Sequence, residues 1–174
     1  ALVNTVIEKA MIPIAIIPAS KGSTFMSDWS FCWSIRNEWN HEDASTLYGN
    51  SLSKVRLAGG AEGIIMIQGE KDVSIGSYEI YKSDFTRMLD NYREDLWRSI
   101  PIFYAEIGNN TQANDTALAN IQRAQRDMQV NRMNILSASG KDLDVESDGV
   151  HYTAESLDIL GRRFGLSILA YLRI

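Results

Sequence analysis

Apolar positions in this chain fall into two kinds of run. Short, nearly continuous apolar blocks occupy residues 13–18 (PIAIIP), 63–68 (GIIMIQ), 101–107 (PIFYAEI) and 133–137 (MNILS). Blocks of this length, without polar alternation, predict strands covered on both faces, as in a parallel sheet. Between the blocks, apolar residues recur at helical spacing. Leu47, Leu52, Val55 and Leu57 predict a helix over 45–58, stopped by Gly59-Gly60. Tyr78, Ile80, Tyr81, Phe85, Met88, Leu89, Tyr92, Leu96 and Trp97 predict a long amphipathic helix. Leu118, Ile121, Ala124, Gln125 and Met128 predict another over 114–130. The last covers 153–172, with Thr153 as its N-cap. Leu2, Val3, Val6 and Ile7 add a helix at the start. One helix followed by alternating strands and helices predicts a three-layer α/β/α domain on a parallel sheet. No repeat, low-complexity tract or linker divides the 174 residues, so residues 1–174 are expected to form one domain.

Residues 25–43 follow neither period. Phe25, Trp29, Phe31, Trp33 and Trp39 mark them as a long aromatic loop, one that lines or lids a site or is pinned to the body by its rings. Composition narrows the class further. The apolar fraction is 45%, the charged fraction 22% and the net charge −5, with no basic stripe. Nucleic-acid binding through phosphate contacts is therefore not expected. No apolar run approaches the length of a membrane span. The single cysteine, Cys32, excludes an intramolecular disulfide and a multi-cysteine metal site, and reads as a small buried hydrophobe. The opening Ala1-Leu2-Val3-Asn4 has neither Met nor a signal-peptide pattern and reads as a processing or cleavage boundary.

The polar motifs sit where an α/β sheet places its ligands, after the carboxyl ends of the predicted strands. They are residues 20–24, 68–72, 108–110 and 148–151. In the last, Asp148-Gly149-Val150-His151, an Asp three residues before a His can hold the imidazole Nδ1–H and leave Nε2 to accept a proton. An incidental Asp and His on a surface loop is the plain alternative. Glu70 and Asp72 could form the paired carboxylates of a glycosidase, but that leaves Asp148 and His151 unexplained. Metal binding by Glu70, Asp72 and His151 is poorly supported, because the chain has two histidines and His41 lacks ligand-like spacing. Neither a metal nor a cofactor is expected.

Taken together, these motifs resemble those of the SGNH-type hydrolases, in the branch of sialate O-acetylesterases and acetylxylan esterases. Gly22-Ser23-Thr24 with Trp29 is similar to that branch's Gly-Gly-Thr loop and following Trp. Gln68-Gly69-Glu70-Lys71-Asp72 is similar to its Q-G-E-x-D block, and Asp148-Gly149-Val150-His151 to its D-G-x-H block. Residues 122–125 and the Gly161-Arg162-Arg163-Phe164 run echo two further stretches. The resemblance implies a flavodoxin-like sheet of order 2-1-3-4-5 and a serine esterase acting on acetylated carbohydrate. His151 would be the base and Asp148 its orienting acid. The Gly22 N–H, the Gln68 amide and the nucleophile's own N–H would form the oxyanion hole. Glu70, Asp72 and Trp29 would contact substrate or support loops.

Two departures stand out. Ser23 replaces the second Gly of the Gly-Gly-Thr loop, and no nucleophile block precedes the first predicted strand. The central strand and its Ser are therefore expected from a segment of the same protein upstream of Ala1, which would be a partner of this chain. A secreted, periplasmic or virion-surface setting would suit the implied substrate. A non-catalytic carbohydrate-binding or structural module is the rival reading. The retained Asp148 and His151 argue against it, since a binding module needs no tautomer-fixed base. A lipase-like or thioesterase specificity is a third reading.

Overall fold

The computed structural model describes residues 1–30, 41, 43–97, 99–110, 112–129 and 133–174. In chain order these form α1 (Leu2–Ala10), α2 (Met26–Ser30), α3 (Leu47–Leu57), β1 (Ile64–Met66), a 3₁₀ turn (Asp72–Ser74), α4 (Tyr78–Asp95), β2 (Ile102–Glu106), α5 (Asp115–Asp127), β3 (Asn134–Ser139) and α6 (Ala154–Leu172).

The strands make a parallel sheet of order β1-β2-β3. Met66 is level with Tyr104, and Tyr104 with Leu136. Past that point the register shifts, so that Ala105 pairs with Ala138, and Ser137 is the extra residue of a β-bulge. β2 is buried at every residue, as expected for the middle strand of a sheet covered on both faces. Its side chains alternate between two cores. Ile102 and Tyr104 join Tyr81, Phe85, Met88 and Ile121 under α4 and α5. Phe103 and Ala105 join Leu160 and Phe164 under α6. The result is an α/β/α stack, as the alternation of strands and helices predicted.

Local chemistry starts the helices where the chain must turn. Thr46, Ser77, Asn114 and Thr153 each accept a main-chain N–H in the first turn of α3, α4, α5 and α6 respectively. Such a cap contributes about 1 kcal/mol. Two glycines set the distance between α1 and α6. A Cβ on Gly165 would lie 2.7 Å from Thr5 Cβ, and one on Gly161 would lie 3.2 Å from Ala1 Cβ. These are real contact limits, so the pair lets α1 lie directly on α6.

The structure corrects three expectations. Residues 13–18 form no strand. They run without ladder partners, and Ile16 is 62% exposed. An apolar run becomes a strand only beside an edge that pairs it, and among the described residues none does. β1 is three residues rather than the six predicted, and among the described residues it pairs on one side only, with β2. The stretch read as an aromatic loop opens with a short helix, α2, whose Met26 and Ser30 are fully buried. Phe31, Cys32, Trp33 and Trp39 lie outside the described residues. No described helix is long and apolar enough to cross a membrane.

The α1–α6 contact yields a stability prediction. Gly165→Ala forces the helices apart and lowers stability by about 1–3 kcal/mol, read as a shift in the urea midpoint. An unchanged midpoint would show that α1 is not held by this contact.

Candidate active site

The connection from β3 to α6 folds back on itself. Val145 and Tyr152 form an antiparallel bridge, and the Glu146 N–H donates to the His151 carbonyl at 2.7 Å. Gly149, with φ 72°, makes the turn between them. At its tip the Asp148 carboxylate serves three donors. Oδ1 accepts the N–H groups of Val150 (2.9 Å) and His151 (3.0 Å), and Oδ2 lies 2.5 Å from His151 Nδ1. These bonds, the one from His151 foremost, hold the Asp148 carboxyl down at about 2. The same bond, followed by the carboxylate's charge, raises the His151 imidazole above its ordinary value. Nδ1 is thus the protonated nitrogen of the neutral ring, and Nε2 is the basic one. The His151 side chain is 81% exposed, and no described residue hydrogen-bonds Nε2.

This tip is tied to the sheet. Tyr152, next to His151, accepts the Gly108 N–H on its phenol oxygen at 2.7 Å. Gly140 donates its N–H to the Glu106 carbonyl at 2.8 Å. Both glycines are required, since a Cβ on Gly140 would sit 2.0 Å from the Tyr152 hydroxyl and one on Gly108 2.5 Å from the Gly140 carbonyl. Gln112 adds a bond from its amide to the Asp148 carbonyl at 2.7 Å.

The Gln-Gly-Glu-Lys-Asp block follows β1. Gln68 Nε2 donates to Asp72 Oδ2 (2.6 Å) and to the Thr24 carbonyl (3.0 Å). Asp72 also accepts the Met26 N–H at 3.0 Å, so its carboxylate joins the loop before α2 to the loop after β1. Burial pushes the Asp72 carboxyl up to about 6, against the pull of its bonds from Gln68 and Met26. Behind the block, α5 secures the strand ends. Gln125 donates to the Gln68 carbonyl (2.9 Å) and to the Tyr81 hydroxyl (3.0 Å), and accepts the Ile107 N–H (2.9 Å). Gln122 donates to the Ile107 carbonyl at 3.0 Å. Gly69, at φ 138°, passes so close that a Cβ would lie 2.8 Å from Gln125 Nε2.

The structure brings most of the expected residues to one edge of the sheet. Glu70 is half-buried, and its charge acts on both His151 and Tyr152. Asp72 braces loops. Trp29 does the same, its indole N–H donating to Thr24 Oγ1 at 3.0 Å. Gly22 is exposed, and its loop joins the cluster through Thr24. The expected oxyanion role of Gln68 does not match its bonding. Both amide protons are taken by Asp72 and Thr24, which leaves none for an oxyanion in this arrangement. Sequence reasoning missed Tyr81 and Tyr152 as supports. Their signal was faint: a phenol on an apolar helix face, and one beside the histidine.

Comparison with known proteins meets this geometry. The pattern of the family described as carbohydrate esterase, sialic acid-specific acetylesterase (SASA) matches residues 1–170. The chain belongs to this family. A relative in Arabidopsis thaliana, described as a probable carbohydrate esterase, is 26% identical over 154 residues, which cover 85% of this chain and 52% of the relative. The chain therefore spans about half the length of that curated relative. The solved structure from the same Arabidopsis locus has a TM-score of 0.78 at 25% identity, over 99% of this chain and 66% of that one. A carbohydrate acetylesterase of Xanthomonas citri has a TM-score of 0.77 at 16% identity, over 98% of this chain and 39% of that one, and so shares the fold. The family is the one that the Gln-Gly-Glu and Asp-Gly-Val-His motifs resembled.

Asp72 gives a pH prediction. Its carboxyl binds a proton more tightly in the fold than in the unfolded chain, so its contribution to stability falls as pH rises from 3.8 to about 6. The full effect is about 3 kcal/mol at most. Asp72→Asn removes this slope, as measured by urea unfolding at intervals from pH 4 to 7. An identical slope in wild type and variant would assign the pH dependence elsewhere.

Proposed function

We propose that this chain carries the acid–base half of a serine esterase that removes O-acetyl groups from carbohydrate. The observation that carries the reading is the Asp148–His151 pair. One nitrogen of the imidazole is fixed by a carboxylate, and the other is open at the carboxyl edge of the sheet. In the proposed cycle, His151 Nε2 takes the proton of a serine as its oxygen attacks the ester carbonyl. The imidazolium, stabilised by Asp148, then returns that proton to the leaving sugar oxygen. Water repeats the sequence on the acyl-enzyme and releases acetate. A donor to the oxyanion typically lowers the barrier by about 2.7–4 kcal/mol. The Gly22 N–H and the serine's own N–H are the proposed donors. Family membership and the named activities of the relatives support the reaction class.

The serine is proposed to lie on a strand upstream of Ala1 that pairs with the open edge of β1. Three features support this placement. Among the described residues β1 pairs on one side only, Ile65 on it and Ile67 just past its end are 42% and 44% exposed, and the apolar residues 13–18 run unpaired. An edge strand of bare apolar residues is a template for another strand. A strand seated there would cover the edge.

Three outcomes test the proposal on the full-length protein. His151→Ala lowers kcat on p-nitrophenyl acetate and on acetylated xylan by at least about 10³-fold. The acid limb of kcat/KM lies above the ordinary histidine value, because the raised imidazole must lose its proton to act as base. Asp148→Asn removes the cause of that shift, moving the limb to lower pH while reducing the rate. Wild-type rates in His151→Ala would sink the esterase reading and favour a binding module. In a separate experiment, a fluorophosphonate probe followed by peptide mapping labels a serine upstream of Ala1. Labelling of any serine within residues 1–174 would overturn the placement of the nucleophile.

A further inference from the structure

The Gln-Gly-Glu-Lys-Asp block leaves two polar groups without a partner among the described residues: the buried Gln68 Oε1 and the Glu70 carboxylate. Gln68 and Asp72 bond each other and the main chain of residues 24 and 26. Lys71 points away, its ammonium 5.4 Å from the centre of the Phe25 ring. Glu70 is half-buried, and besides its own main-chain N–H no described group donates a hydrogen bond to it. No described cation pairs with it either. Arg126 and Lys141 both meet Glu106, and Arg123 meets Asp127. Burial raises the Glu70 carboxyl, the position of a group that has lost water and gained little in return. Its nearest chemistry is the catalytic edge, since its charge acts on His151 and on Tyr152.

We propose that Glu70 is a specificity residue, accepting a hydrogen bond from a free hydroxyl on the carbon next to the ester-bearing carbon of the substrate. This deepens the esterase reading and rests on it. The leaving oxygen must approach His151 Nε2 to receive its proton. A hydroxyl on the adjacent carbon of a sugar ring is then carried to the same edge. A carboxylate there recognises neutral O–H donors through a charge-assisted bond, which is stronger than a bond between neutral groups. A site built to bond a hydroxyl also rejects the analogue that lacks it, because its own polar group is left unpaired. The substrate class that follows is the partly acetylated vicinal diol of a carbohydrate, with fully substituted or simple alkyl acetates disfavoured.

The test compares two small esters on the full-length enzyme: trans-1,2-cyclohexanediol monoacetate, which keeps the neighbouring hydroxyl, and cyclohexyl acetate, which lacks it. Wild type prefers the diol ester by about tenfold or more in kcat/KM. Glu70→Ala, which removes the acceptor, cuts that preference to within about twofold of unity. The wild-type ratio needs no variant, so a folding defect cannot hide the answer; a ratio near one in wild type overturns the proposal. A ratio that persists in Glu70→Ala overturns it too. So does an equal loss on both esters with a displaced pH limb, which would make Glu70 a positioning residue acting through His151. If wild type hydrolyses neither ester nor p-nitrophenyl acetate, the esterase reading itself fails and takes this inference with it.

Discussion

Where a parallel sheet ends, its last amides and carbonyls lose their ladder partners while still buried under the helices, and each must find a donor or acceptor. In this protein two side chains of α5 do most of that work. Gln125 spans the ends of β1 and β2 in one reach, bonding the Gln68 carbonyl on one strand and the Ile107 N–H on the next. Gln122 takes the Ile107 carbonyl. Removing Gln125 would leave the buried Ile107 N–H unsatisfied, at about 1–3 kcal/mol, while the Gln68 carbonyl would keep the Tyr81 hydroxyl. Gly69 is a consequence of the same contact, because the chain passes too close to Gln125 for any side chain. The loop that carries Glu70 and Asp72 therefore starts from a fixed point, not from a free strand end.

Two aspartates on this edge show how environment assigns a role. Asp148 is on the surface and accepts three donors, so its ionised form is favoured and its carboxyl sits at about 2. It is a carboxylate throughout the neutral pH range, as an orienting partner for an imidazole must be. Asp72 is buried, and its two kinds of donor offset only part of the loss of water, so its carboxyl rises to about 6. A permanently charged group suits chemistry. A reluctant one suits holding two loops together, because its bonds to Met26 and Gln68 are worth most where water is excluded. The sequence block that looks like a single motif is thus divided: its Gln and Asp face inward, and its Glu faces the edge where His151 stands.

The parts legible in the sequence are those decided locally. The apolar blocks at 101–107 and 133–137 became β2, buried at every residue, and β3, which pairs with it, and Thr153 capped α6 because its hydroxyl needs only the next turn. The Asp148–His151 bond was legible for the same reason, spanning three residues. Residues 13–18 misled because a strand is a property of two segments, and their apolar run says nothing of who pairs with them. Gln68 misled in a different way. Its residue type and place were readable, but the fate of its two amide protons depends on Thr24 and on Asp72, and the first is 44 residues away. Motifs name the atoms available; only the fold says which are already taken.

The exposure of His151 carries a further consequence. An imidazole in open water gains little from charges at a distance, since their effect is screened over about a Debye length. What tunes it is therefore the direct bond it donates to Asp148, and the geometry of that bond depends on a loop of few residues. The loop holds because it is fastened at three separate points: the Tyr152 hydroxyl to Gly108, Gly140 to Glu106, and Gln112 to the Asp148 carbonyl. Each fastening lands on or just beyond the ends of β2 and β3, or on the segment that leads into α5. A shift of the sheet edge would move the histidine with it, and the same edge is held by Gln122 and Gln125. The acid–base pair and the Gln-Gly-Glu turn are thus fastened to the same sheet edge, though they lie 80 residues apart in sequence.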